Sequence, residues 1–176
     1  MKRTSFFVIL LSVLFFGTIK AQETLSWVSL QEAEKLMAKQ PKKLFIDVYT
    51  DWCGWCKVMD QQTFQHPTIS KIINQYYYPV KFNAEQKEDL VFRGKTFKYV
   101  PNGRSGYNEL AAEMLQGKLS YPTIVYMDEN FNIIQAIPGF YKPVDIEPIL
   151  KYFGSGAYKN TDWGEYQKSF KSELPQ

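Results

Sequence analysis

The chain predicts an α/β domain, a small central mixed β-sheet flanked by helices. Three observations carry that expectation. Short apolar runs rich in β-branched and aromatic residues alternate with stretches of helical apolar spacing. Their order, helix, strand, helix, strand, helix, strand, strand, helix, is one that buries a sheet between helical layers. The only two cysteines stand in Trp52-Cys53-Gly54-Trp55-Cys56, where an apolar strand gives way to a helix.

The elements follow in order. Lys2-Arg3, an apolar run from Phe6 to Ile19, and Lys20-Ala21-Gln22 read as a signal peptide over residues 1–21, cut after Ala21. The run is short for a membrane span, which needs about 20 residues; an uncleaved segment holding the domain on the membrane is the alternative. Removing the leader takes away Lys2, Arg3 and Lys20 and leaves as many acidic as basic residues. A neutral domain offers nucleic acid or an anionic membrane no electrostatic attraction.

Ser29 and Glu32 form a capping-box pattern ahead of a helix over Leu30–Lys39 with Leu30, Ala33, Leu36 and Met37 on one stripe. Leu44 to Tyr49 is a strand buried on both faces. Val58, Met59 and Phe64 continue the helix of the cysteine motif to a break at His66-Pro67, where His66 punctuates the junction, and Ile69, Ile72 and Ile73 mark the next helical segment. Tyr77 to Asn83 is a second strand.

Residues 84–118 form an inserted region, with a hairpin predicted around a Gly94-Lys95 turn and a loop at Pro101-Asn102-Gly103. Arg93, Lys95, Lys98 and Arg104 make it locally basic. A helix carrying Leu110, Ala111, Met114 and Leu115 ends at Gly117. Tyr121–Met127 and Phe131–Ile137 are the last strands. A helix bearing Ile146, Ile149, Leu150 and Phe153 closes the domain at residue 154, starting at Pro143 or near Asp145 depending on how Pro148 is accommodated. The domain thus spans residues 22–154, and the tail over 155–176 holds a short helix capped by Thr161 that packs back through Trp163, Tyr166 and Phe170.

Two residues between sulfurs allow a small disulfide ring, and a helix starting at Cys53 aims unpaired N–H groups at its sulfur. A free cysteine titrates near ~8.5; at such helix starts the first cysteine of a CxxC motif falls to about 3.5–7.5, a usable nucleophile at neutral pH. A purely structural disulfide closes too little chain here to stabilise much. Zinc needs about four ligands, and the chain offers two cysteines and His66.

The motif, the strand before it carrying Asp47, Lys81 in Val80-Lys81-Phe82-Asn83, and Tyr121-Pro122-Thr123 together resemble the thioredoxin superfamily over residues 25–154. Within it they are similar to the exported thioredoxin-like domains that include the C-terminal domain of the disulfide-interchange protein DsbD. The resemblance implies a thioredoxin fold with the inserted hairpin region before a cis-proline strand. It implies Cys53 as nucleophile, Cys56 as resolving thiol, Asp47 with Lys81 assisting proton transfer beneath them, and Pro122 as the cis-proline facing the motif. Trp52, Trp55, Tyr121 and Pro122 are then the substrate-binding residues. Trp55 departs from the proline of thioredoxin and the histidine of oxidising relatives, so neither potential transfers.

The resulting expectation is a periplasmic thiol-disulfide oxidoreductase acting on protein disulfides, more reductant than oxidant. It needs no cofactor and no metal, and a membrane electron relay of the DsbD type serves as partner. The competing expectation is a peptide-binding holdase whose apolar rim grips clients while its cysteines stay closed.

Overall fold

The computed structural model describes residues 24–175, and the expected leader over 1–21 lies outside them. The Ser29 hydroxyl accepts the Glu32 N–H at 3.1 Å. That satisfies one donor left free at a helix start, and α1 runs over Leu30–Lys39 as predicted. β1 (Lys43–Tyr49) is buried along nearly its whole length, and α2 (Gly54–Met59) starts directly behind Cys53. The expected unbroken helix to Phe64 is corrected. Asp60–Phe64 form one widened, π-type turn, which lets Asp60 reach Lys81 while Thr63 and Phe64 still enter the core. Pro67 opens α3 (Pro67–Tyr76) at a position that needs no N–H, and β2 (Tyr77–Asn83) covers the predicted residues.

The insertion holds two hairpins rather than one. In the first, β3 (Leu90–Phe92) and β4 (Lys95–Phe97) pair Phe92 with Lys95, so the turn residues are Arg93-Gly94, not Gly94-Lys95. Both have positive φ, 51° and 73°, the backbone a two-residue turn of matching twist needs. The Arg93 N–H donates to Glu34 Oε1 at 2.7 Å and ties the turn to α1. Lys98 ends β4 early: its backbone pairs with Glu109 instead. The expected loop at Pro101-Asn102-Gly103 belongs to a second hairpin of β5 (Tyr99–Asn102) and β6 (Ser105–Asn108). Gly106 is required there, because a Cβ would lie 2.4 Å from the Tyr99 ring. Asn108 caps α4 (Glu109–Met114), and Lys95 pairs with Glu113, which offsets part of the insertion's basic charge.

β7 (Thr123–Met127) and β8 (Ile133–Pro138) each start two residues later than predicted. Before β7 the chain is occupied by the Tyr121–Pro122 peptide; before β8 the Asp128 carboxylate collects the N–H groups of Asn130 and Asn132 into a turn. α5 (Pro143–Gly154) begins at Pro143, with Pro148 inside it. α6 (Trp163–Ser169) is capped by Asp162, not Thr161, and packs Trp163 and Tyr166 on Tyr152. Glu147, fully buried, accepts from Ser172 and the Glu173 N–H and fastens the tail.

The main sheet has the order β2-β1-β7-β8, with β1 parallel to β2 and antiparallel to β7. Strand alternation divides the core. Leu44, Ile46 and Val48 face α1, α4 and the first hairpin, whereas Phe45 packs with Phe64, Ile69, Ile73, Tyr126 and Leu150. Asp47 shares Phe45's parity, so its carboxylate points to the side where α2 and α3 lie.

Candidate active site

Cys53 stands at the N-cap of α2, and its sulfur accepts the Cys56 N–H at 3.1 Å. The two cysteines form a disulfide with Cα atoms 5.3 Å apart. Both are nearly covered, Cys53 showing 4% of its surface. The flanking tryptophans are the opposite, with Trp52 66% and Trp55 63% exposed. Both indoles therefore leave large apolar surface in water beside the disulfide. Trp52 is nevertheless fixed: its ring meets Tyr121 edge-on at 6.1 Å, and its N–H donates to Glu85 Oε2 at 3.0 Å.

The Tyr121–Pro122 peptide is cis. Trp55, Tyr121, Pro122, Gly139 and Phe140 line one cleft, so a residue of the cysteine motif and the cis-proline share a wall. The sequence pattern passed over Phe140. Its signal was the Pro138-Gly139 break, which sets the following residue at the end of β8 beside the start of β7; the Gly139 N–H donates to the Pro122 carbonyl at 2.8 Å.

On the face of β1 that bears Phe45, Asp47 is 1% exposed and pairs with Lys81 at 2.6 Å, its neighbour in register across β1 and β2. Asp47 is thus buried, as a strand covered on both faces requires. Burial and the Asp60 charge push the Asp47 carboxyl up to about 6 even though Lys81 pulls it down. Desolvation therefore wins. Burial opposes the Lys81 charge, but Asp47 and Asp60 outweigh it and hold the ammonium above its ordinary value. One Asp47 oxygen, Oδ1, has no hydrogen-bond partner among the described residues.

Asp60 is the second residue missed from sequence, although it lies one helical turn after Cys56. It ion-pairs with Lys81, and both Lys81 and Asp60 line an open cavity of about 430 Å³. Trp27 closes over the ammonium at 4.9 Å. In Asp60→Asn the repulsion on Asp47 disappears and Lys81 keeps Asp47 as its one carboxylate. Both changes favour ionised Asp47, so its titration, followed by carboxyl carbon NMR, moves to lower pH; an unchanged or higher midpoint contradicts this electrostatic arrangement. His66 occupies the N-cap of α3, where its carbonyl accepts the Ser70 N–H at 2.9 Å, but its side chain makes no capping bond.

The model of the Thioredoxin-like domain family matches residues 30–154. The chain belongs to the thioredoxin-like family. It is 27% identical over 77 residues to spermatogenesis-associated protein 20 of Homo sapiens, covering 44% of this chain and 10% of that protein. It is 46% identical over 44 residues to thiol:disulfide interchange protein DsbD of Haemophilus ducreyi, covering 24% of this chain and 8% of that protein. The chain thus spans about a tenth of the length of these curated relatives. A solved structure of DsbH oxidoreductase superposes with a TM-score of 0.56 at 17% identity, covering 85% of this chain and 95% of the other. The thioredoxin fold and the bonded CxxC pair give this thioredoxin-like domain the equipment for thiol–disulfide redox chemistry. No helix among the described residues is long and apolar enough to cross a membrane.

Proposed function

We propose that this thioredoxin-like domain is an exported protein thiol-disulfide oxidoreductase that acts mainly as a reductant. The observation that carries the reading is the Cys53–Cys56 disulfide at a helix start, with the cis Tyr121–Pro122 segment on the cleft beside it. In the reduced domain the Cys53 thiolate attacks one sulfur of a client disulfide, the client S–S bond breaks, and its second sulfur leaves as a thiolate. Cys56 then loses its proton and attacks the Cys53 sulfur, which expels the other client thiolate. The client has gained two electrons and takes up two protons, and the domain is left as the disulfide.

Asp47 is the acceptor for the Cys56 proton in this scheme. A carboxylate poised at about 6 accepts and returns protons near neutral pH. Lys81 and Asp60 connect it to the open cavity and so to water. The unpaired main chain at Tyr121 supports a strand-like client segment laid over Cys53, held by backbone hydrogen bonds. A dithiol protein must reset the pair, and a membrane relay of the DsbD type fits that role. The charged and apolar start of the chain supports a periplasmic setting.

The mature domain with dithiothreitol is expected to precipitate insulin at least ~10-fold faster than dithiothreitol alone. A rate equal to the free dithiol refutes the reading. Equilibration with glutathione fixes the direction: a potential near about −270 mV marks a reductant and one near about −120 mV an oxidant.

A further inference from the structure

We infer that Trp27 is a positioning residue for the exchange reaction: its indole closes an aromatic enclosure that keeps water off the Lys81–Asp47 pair and so governs how Asp47 takes the proton of Cys56. The inference rests on the oxidoreductase reading for its chemistry and on the packing around Lys81 for its geometry.

Trp27 precedes residues 30–154, the stretch that the family model matches. Local hydrogen bonds fix it in place. The Val28 N–H donates to the Pro79 carbonyl at 2.9 Å and the Lys81 N–H to the Val28 carbonyl at 3.3 Å, which lays the chain ahead of α1 alongside β2. The Thr24 carbonyl accepts from the Asn74 side chain at 3.2 Å and anchors the other end. Between these ties the Trp27 ring packs on Phe45 and Phe64, with centroids 6.1 and 5.5 Å away. The Lys81 ammonium lies 4.9 Å from the centre of the Trp27 ring, 5.0 Å from that of Tyr49 and 5.9 Å from that of Phe64. Aromatic faces attract a cation. Together with the ion pairs to Asp47 and Asp60, the three rings leave the ammonium one place to sit. Phe64 belongs to the core, whereas the half-buried Trp27 lines the open cavity with Lys81 and Asp60. Its indole is the wall that a substitution can remove.

Few charges face the pair. Asp47 and Asp60 are the carboxylates, and the Tyr49 phenol, which burial and Asp51 hold above its ordinary value, stays neutral. The cavity's other polar side chains, Thr24, Gln65 and Ser70, carry no charge. Removing the indole admits water to the ammonium and, past it, to Asp47. Burial is the largest influence on Asp47, and Lys81, acting against it, is the next. Asp60 still holds Lys81 near its place, so hydration decides the sign and the proton affinity of Asp47 falls. In the step concerned the proton passes from the Cys56 sulfur to Asp47, whose Oδ1 has no partner among the described residues. The Cys56–Cys53 bond forms as the bond from Cys53 to the client breaks, and the client sulfur leaves as a thiolate. A weaker base takes that proton more slowly at pH 7; below the folded value of about 6 more of it is ionised and ready.

Carboxyl carbon NMR on the reduced mature domain reads the Asp47 titration, and acid-quenched single turnovers with a peptide disulfide read the breakdown of the Cys53 mixed disulfide at pH 5 and pH 7. In Trp27→Ala the proton affinity of Asp47 is expected to fall about tenfold, and breakdown to slow about threefold at pH 7 with no deficit at pH 5. Trp27→Phe, which keeps a ring over the ammonium, returns most of both. An Asp47 affinity that is unchanged or higher in Trp27→Ala overturns the inference, as does a deficit equal at both pH values, the mark of a merely structural part. One measurement needs no variant. In the parent the Lys81 ammonium protons, shut from water, are expected to give a resolved proton–nitrogen signal below pH 7, and exchange as fast as that of the exposed Lys57 overturns the enclosure. A parent that forms no mixed disulfide refutes the oxidoreductase reading and removes the role of Trp27 with it, whereas a parent that turns over with an Asp47 midpoint unmoved by Trp27→Ala refutes the inference alone.

Discussion

Cys53→Ser loses insulin-disulfide reduction by about 10³-fold or more, because an alcohol at the α2 start supplies no thiolate and nothing nearby replaces it. Cys56→Ser gives a different result that identifies the order of attack. Cys53 still reaches the client, but no second thiol resolves the intermediate, so covalent client complexes accumulate and are seen on non-reducing gels. If the roles were exchanged, the trap would appear in the Cys53 variant. The asymmetry has a structural cause: the Cys53 sulfur sits at the N-cap and receives the Cys56 N–H, whereas Cys56 lies inside the helix and is 2% exposed. Equal trapping by both variants would mean that the helix start confers no preference. Retained turnover in Cys53→Ser would remove the proposed chemistry altogether.

The sheet is legible in the chain because its signals are local. Leu44–Tyr49 is a short apolar run behind Pro41, Tyr77–Asn83 follows directly on the helical stripe of Ile69, Ile72 and Ile73, and Ser29 announces α1 through its own hydrogen bond. The insertion is harder to read for a physical reason. Its register depends on tertiary ties, the Arg93 N–H to Glu34 and the Lys98 N–H to Glu109, which no turn propensity encodes. Arg93 and Gly94 both take positive φ, and a rule that places glycine first in the turn shifts the hairpin by one residue.

The candidate site shows the same divide. The cysteine motif and Tyr121-Pro122 are contiguous in sequence and stand out there. Asp60, Glu85 and Phe140 act through groups distant in the chain, and only the fold brings them to Lys81, Trp52 and Trp55. Glu147 is the extreme case. A buried glutamate on a helix reads as a surface residue until the tail's Ser172 and Glu173 arrive to satisfy it. Parity along β1, by contrast, was available from the start: Asp47 two residues after Phe45 must share its face.

Asp47→Asn is expected to stabilise the domain at pH 7 and to slow it. Well below the ordinary aspartate value of 3.8 both folded and unfolded chains keep the proton, and the carboxyl costs the fold nothing. Between the ordinary aspartate value of 3.8 and the folded value of about 6 the unfolded chain ionises first, so stability falls as pH rises. Above that window the whole cost is present, roughly 3 kcal/mol. Asparagine cannot ionise and escapes it. It remains a polar group in a buried place and surrenders one partner of Lys81, so the net gain at pH 7 is about 2 kcal/mol; it shrinks to nothing near pH 4 and turns into a small loss below. Denaturant midpoints across this range measure it; a gain that is equal at pH 4 and pH 7 would show that packing, not ionisation, is responsible. Exchange at pH 7 falls by roughly 10–100-fold, since Cys56 loses the group that accepts its proton. Raising the pH restores much of the rate, because hydroxide then removes the proton that Asp47 would have taken, and a loss that persists at every pH would assign Asp47 a purely structural part.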